Sequence, residues 1–364
     1  MGGVLQARKG YKVKASPETL RHLSKLDEVI DRSKIDKLKD YLFKDMALRT
    51  PFSPDSFVEK GRNMEWDYFL DEGRAGYEKL HREGMDALLT PSQKTGLEAI
   101  VLLTARPAIL VQNNEFLEVP SEWQILNTKK NDINQTLQSV GRIEVSGHPN
   151  DSWLGTGFLV AENVVMTNRH VAEEFCTDRG SEGVWRFKPG MSGRIDYVEE
   201  FGVLRHAEFE IADIIGVHDI YDLSLFRVQT TSRSGVTPPP PLTISSQPPA
   251  APEAIAGRQV FVCGYPTWDG LRNDPPVMMR IFASIFDVKR LQPGELRKFD
   301  DTINVVMHDC STLGGNSGSC VVDLETNKVV GLHFGGRYLE GNKAVALWTM
   351  TNDPLLMSAN VNFD

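Results

Sequence analysis

Three short segments carry side chains whose types and spacing could do chemistry together. MTNRHV at 166–171 sets His170 directly after an apolar run. YDLSLF at 221–226 puts Asp222 at the head of an alternating stretch, and GGNSGS at 314–319 holds Ser317 among glycines. A serine hydroxyl is a poor nucleophile at neutral pH. It needs a base within hydrogen-bond reach, and that base needs a third group to fix its tautomer. His170, Asp222 and Ser317 supply those three roles. Asp213 and Asp219 compete for the place of the acid, but only Asp222 opens a D-L-S-L run. Ser311 and Ser319 compete for that of the nucleophile, but only Ser317 lies in G-x-S-G, where flanking glycines permit a tight turn. His22, His81, His148, His206, His218 and His308 lack such context and read as structural or solvated.

The elements that must position these segments read as strands. From Val140 onward VGRIEV, GTGFLV and NVVMTN follow one another with turn residues between them, a spacing that favours a sandwich or barrel. Helical patterns do not alternate with them, so a doubly wound parallel sheet is not expected. A segment at 238–252 with seven prolines reads as a stiff, extended connector that divides this β region in two. Residues 1–106 read as helical. Ser16-Pro17-Glu18 is a helix start, and Leu20, Leu23, Leu26, Val29 and Ile30, then Ile35, Leu38, Tyr41 and Leu42, keep helical spacing. Pro51 and Pro54 punctuate the next stretch, and Pro91 opens a helix through Leu97, Ile100, Val101 and Leu103. Residues 107–135 join the two regions as a hairpin turning at Asn113-Asn114 and the start of a short polar helix over 132–138.

The composition sets outer bounds. The chain has 364 residues, 41% hydrophobic and 24% charged, enough for a sizeable core, which excludes a disordered or collagen-like chain. Its net charge is −9, with +5 in residues 1–50 (12 basic, 7 acidic) and −14 in the rest. An acidic body argues against nucleic acid as the main partner. No window reaches the roughly 18 apolar residues of a membrane span. The best, 99–111, is broken by Arg106 and Pro107. The first residues hold no apolar run after their basic ones, as a secretory signal requires, and Gln6 stands where a myristoylated Gly2 wants Ser or Thr. Cys176, Cys263, Cys310 and Cys320 form no C-x-x-C pair, so neither a disulfide framework nor a zinc site is expected. The expectation is a cytoplasmic protein.

Taken in order, the motifs resemble those of trypsin/chymotrypsin-like serine peptidases. The resemblance covers roughly 136–364 through GTGFLV, TNRHVA, DLSL, GYP at 264–266, GGNSGS and VVGLHFGG. GNSGS followed by GLHFGG is most similar to the bacterial glutamyl endopeptidase branch. The fold this implies is mainly β: a chymotrypsin-like double antiparallel β-barrel behind the α-helical N-terminal region. Barrel 1 then takes about 136–237 and barrel 2 about 253–364, with the site in the cleft between them. It implies a serine endopeptidase working through an acyl-enzyme on Ser317. His170 serves as base and then acid, the N–H groups of Gly315 and Ser317 form an oxyanion hole, and no cofactor or metal is needed. Six residues before Ser317 stands Ser311, which does not supply the acid that selects Lys or Arg. Thr312 and His333 match the residues that hold a substrate carboxylate, with Phe334 and Gly335 beside His333 in substrate binding. Cleavage after Glu is therefore expected, with Gln and Asp as competitors.

The sequence departs from the pattern in three places. Asn316 replaces the aspartate that pairs with a freshly cleaved N-terminal amine, so that activation switch is not expected. Cys320 stands where the branch has proline, and more than 130 residues precede the barrel. A catalytically silent binding module on the same barrels is the alternative, though such relatives lose a triad member and this chain has lost none. Protein or peptide substrates are the expected partners, with a companion protein docking on the helical region and neither nucleic acid nor membrane.

Overall fold

The computed structural model describes residues 12–15, 19–20, 57–117, 119, 123–178, 184–232, 234–268, 278, 282, 285–337 and 341–364. The chain divides chiefly between Ala105 and Arg106 into two compact units. In the first, helix α1 (Phe57–Glu83) packs on α2 (Pro91–Ala105). Leu70, Tyr77 and Leu80 share one buried cluster with Leu97, Ile100 and Val101, the three-and-four spacing of a single helix face. A β-carbon at Gly73 would come within 2.5 Å of the Gly96 carbonyl carbon, so glycine is what lets the two backbones meet. The helix expected from Pro91 is present. The pattern from Leu20 to Leu42 lies outside the described residues, except that Thr19 and Leu20 are helical.

The second unit holds two antiparallel β-barrels. The first closes in the order β10 (Ser224–Val228), β5 (Val164–Thr167), β4 (Trp153–Ala161), β3 (Val140–Ser146), β8 (Ser192–Asp196), β9 (Glu208–Val217). A small ribbon of β6 (Cys176–Asp178) and β7 (Trp185–Phe187) lies outside that ring. The second runs β11 (Gln259–Gly264), β14 (Cys320–Asp323), β15 (Val329–Arg337), β16 (Gly341–Ala346), β13 (Val305–His308), β12 (Arg290–Asp300), and β12 returns to β11. Each barrel has its own apolar interior. A larger cluster joins them, placing Val140, Phe158, Met166 and Leu225 with Phe261, Tyr265, Cys320 and Val345.

Two segments expected as links do more than link. β1 (Ile109–Gln112) and β2 (Glu115–Phe116) form the expected hairpin. Asn113 and Asn114 have φ of 54° and 59°, the positive pair that a type I′ turn demands. Ile109 pairs with Leu291, however, so the hairpin extends the second sheet. The proline-rich 238–252 segment is also bound down. Ile244 is fully buried and bridges both Val329 and Phe363, while Leu242 N–H donates to Leu159 O at 2.8 Å. The prolines cannot donate to a ladder, but the residues between them can. A short helix (Lys130–Gln138) leads into β3, close to the expected 132–138.

Candidate active site

β5 is buried along its whole length and ends at Thr167, where the chain turns into the helix Arg169–Phe175. His170 is the second residue of that helix, so its backbone N–H has no helical acceptor. It donates instead to Asp222 Oδ1 at 3.0 Å, while His170 Nδ1 lies 2.7 Å from Asp222 Oδ2. A carboxylate held against Nδ1 fixes that nitrogen as the protonated one and leaves Nε2 with its lone pair. Asn168 secures the arrangement from below: it is fully buried, and its Nδ2 donates to Asp222 O at 2.9 Å. The loop before Asp222 is shaped by His218, whose Nδ1 accepts from the N–H groups of Ile220 and Tyr221 at 3.0 Å each. His218 is structural, as its sequence context suggested. Asp213 and Asp219 are exposed and make no bond to His170.

Ser317 comes from the other barrel, on the loop before β14. That loop is stitched to β4: Thr156 N–H donates to Ser317 O at 2.8 Å, Thr156 Oγ1 donates to Gly315 O at 2.8 Å and accepts from Tyr265 N–H at 3.2 Å. Gly155 packs against Ser317 O and Val171, which sets Ser317 beside the start of the His170 helix. Ser317 Oγ forms no hydrogen bond to His170 in this structure. Such bonds are commonly long before substrate binds.

The loop's amide groups are more telling. Asn316 N–H donates to Leu313 O, Gly318 N–H to His333 O and Ser319 N–H to Asn316 O. The N–H groups of Gly315 and Ser317 have no acceptor among the described residues, so both remain available to donate. Gly315 (φ 80°) and Gly318 (φ 88°) are left-handed. A β-carbon on Gly318 would stand 2.0 Å from Thr156 O, and one on Gly315 would stand 2.4 Å from Tyr265 O.

The family described as Trypsin-like peptidase domain matches residues 155–332. Residues 155–332 carry a trypsin-like peptidase domain. The chain is similar to a glutamyl endopeptidase of Staphylococcus epidermidis, 27% identical over 63% of this chain and 67% of that one. A second glutamyl endopeptidase of the same organism is 29% identical over 50% of this chain and 54% of its own length. Two solved structures of the Rv3671c protease from M. tuberculosis resemble it at 20% identity. The active form has TM-score 0.41 and coverage of 65% of this chain and 87% of that one. The inactive Ser343Ala mutant has TM-score 0.38, with 65% and 92% covered.

In the peptidase domain the residues expected to line the substrate pocket lie at and around β15. His333 is 2% exposed, and burial, with His170 adding its charge, lowers it from 6.5 to about 3. It is therefore a neutral imidazole at pH 7. Its Nδ1 lies 3.1 Å from Nε2 of His308, which is itself fully buried, held well below the ordinary range by burial, and has no partner for Nδ1 among the described residues. His308 is the site neighbour that sequence reasoning passed over. Its signal was the alternation of β13, which turns Val306 and His308 inward together. Ser311 is buried, and its hydroxyl donates to Arg106 O at 2.7 Å, so it is spoken for rather than presented as a pocket base. Thr312 is half-buried, and its hydroxyl has no hydrogen-bond partner among the described residues. β14 pairs with β15 only as far as Leu332, so on that side Phe334 and Gly335 have no strand partner among the described residues, while β16 pairs along the other side.

Away from the site, ligand atoms of Asp196, His206 and Glu208 lie within 4.8 Å of one another, as do those of Glu144, Asp196 and Glu199. These carboxylates already have partners. Arg142 pairs with Glu144 and Glu199, Arg194 with Glu144 and Glu208, and Asp196 Oδ1 accepts from the N–H groups of Val198 and Ala207. Among the described residues no helix is long and apolar enough to cross a membrane.

Proposed function

We propose that the protein is an endopeptidase that cleaves protein chains after glutamate through an acyl-enzyme on Ser317. The observation that carries the reading is the His170–Asp222 pair set beside a loop whose two unpartnered N–H groups belong to Gly315 and Ser317. His170 Nε2 takes the Ser317 proton as Oγ attacks the scissile carbonyl. The two N–H groups receive the oxyanion, and His170 passes the proton to the departing amine. Water then repeats the sequence on the ester.

Selection of glutamate is supported by His333, Thr312 and His308. For His333 to offer Nε2–H to a substrate oxygen, its Nδ1 must accept, and His308 Nε2–H is placed to donate to it. A neutral imidazole donor also suits the amide oxygen of glutamine, which is the competing substrate. The helical region is proposed as the seat of regulation through a companion protein. Four buried thiols outside any disulfide suit a reducing, cytoplasmic setting.

The test is a fluorophosphonate label followed by peptides differing only before the scissile bond. Label on Ser317 and kcat/KM in the order Glu, then Gln and Asp, then Leu and Lys are expected. A pocket built to hydrogen-bond its ligand rejects one lacking the acceptor by up to about 10⁴–10⁵. Ser317→Ala and His170→Ala should each reduce catalysis to the about 10³–10⁴ over water that the oxyanion hole and binding retain. Label on another serine, or preference for Leu or Lys, overturns the reading.

A further inference from the structure

We infer that Trp153 forms the wall met by the residue that follows the scissile bond, and that the enzyme prefers a large apolar side chain there. The inference rests on the proposed roles of Gly315, Ser317 and His170. Trp153 opens β4 and is part-exposed. The outer edge of its indole lies on the Cα of Gly315: a β-carbon built there would come within 2.5 Å of Cη2 and 2.9 Å of Cζ3. So a rigid aromatic ring borders one of the two oxyanion donors.

Which half of the substrate meets that ring follows from where the groups sit. The leaving amine takes its proton from His170, so it departs on the side of the first barrel. Thr312 and His333, proposed to hold the side chain before the scissile bond, belong to the second barrel. Trp153 belongs to the first, on the strand whose Gly155 touches both Ser317 O and Val171 of the His170 helix. A side chain just beyond the scissile bond therefore meets β4 and Trp153.

The ring is held for the task. Arg142 Cζ stands 5.4 Å from the indole centroid, a cation–π distance, and that guanidinium is fixed by Glu144, by Glu199 and by a 3.0 Å bond to Asp287 O. An aromatic surface pinned on one side by a neutralised guanidinium is suited to apolar contact. The indole offers no hydrogen-bond acceptor, and its one donor is the ring N–H.

The experiment uses the full chain and peptides identical up to the scissile bond, followed by Leu, Phe, Gly or Ser. Wild-type kcat/KM should favour Leu and Phe over Gly by about tenfold or more, the size of one well-made apolar contact. In Trp153→Ala that ratio should fall to about one to three, and Trp153→Phe should keep most of it. A second reading bypasses acylation, by letting leucinamide or glycinamide compete with water for the acyl-enzyme. There the amine nitrogen bonds to the ester carbonyl carbon, the bond to Ser317 Oγ breaks, and His170 carries the amine proton to Oγ. Leucinamide should win over glycinamide in wild type, and this advantage should shrink in Trp153→Ala and be largely kept in Trp153→Phe. No wild-type preference, or a uniform loss in Trp153→Ala with the ratio intact, would make Trp153 only a prop under Gly315 and sink the inference. If wild-type Ser317 does not take the fluorophosphonate, the site reading itself falls and this inference with it.

Discussion

Two histidines with opposite visibility meet at one hydrogen bond. His333 sits in a motif and His308 in none, yet the second decides which nitrogen of the first carries a proton. Replacing His308 with Ala leaves His333 free to take the other tautomer. Discrimination between Glu and Leu peptides should drop by about 10- to 100-fold, the worth of one hydrogen bond to a charged group. Turnover of the Leu peptide should change much less. Acid stability is a second consequence. His333 is depressed to about 3 when folded, against 6.5 ordinarily, so below pH 6.5 the unfolded chain binds a proton that the folded chain refuses. The stability it lends is whole above 6.5 and drains away as pH falls towards 3. Urea midpoints measured at pH 7.5 and 5 should separate more in wild type than in His333→Gln. Equal separation would refute this account.

Among the elements, the loop carrying Ser317 depends on β4 as much as on its own turn. Gly318→Ala places a methyl where Thr156 O already stands, with Thr167 Oγ1 next to it at 2.3 Å. The loop must lift, the N–H of Ser317 moves with it, and kcat should fall by about 10²–10³, as for loss of an oxyanion donor. The far-UV circular dichroism should stay that of two barrels. An unchanged kcat would show that the loop is held by something else. How far the sequence foretold this level is uneven, for physical reasons. Short apolar segments set apart by turn residues exposed β3, β4 and β5, and the Asn113-Asn114 pair exposed its own turn. Residues 1–106 read as helical, but the bounds of α1 were hidden because Gly73 and Gly76, poor helix formers alone, are there to let α2 approach, and propensity does not see a neighbour. The pairing of Ile244 was hidden by the prolines around it. Thr156 looked like any strand residue, because its role lies in partners at 265, 315 and 317.

At the scale of the molecule, His170, Asp222 and Ser317 all lie in one unit, and a helical unit precedes it in the chain. If the helical unit regulates, a chain shortened to begin at Arg106 should cleave its best Glu peptide faster than the full chain. The expected margin is about 5- to 150-fold, the range of ordinary coupling between sites. Equal rates in the two chains would leave residues 1–105 with no part in restraint.

The order of the strands also fixes a sequence in time. His170 and Asp222 emerge early in synthesis and Ser317 late, but the carbonyl of His333 that anchors Gly318 lies on β15, whose other flank is β16. His333 pairs there with Ala344 and Gly335 with Lys343. A chain still growing towards residue 346 thus owns all three reactive side chains without the scaffold that aligns them. On the proposed triad, a chain not yet extended through β16 should therefore lack activity.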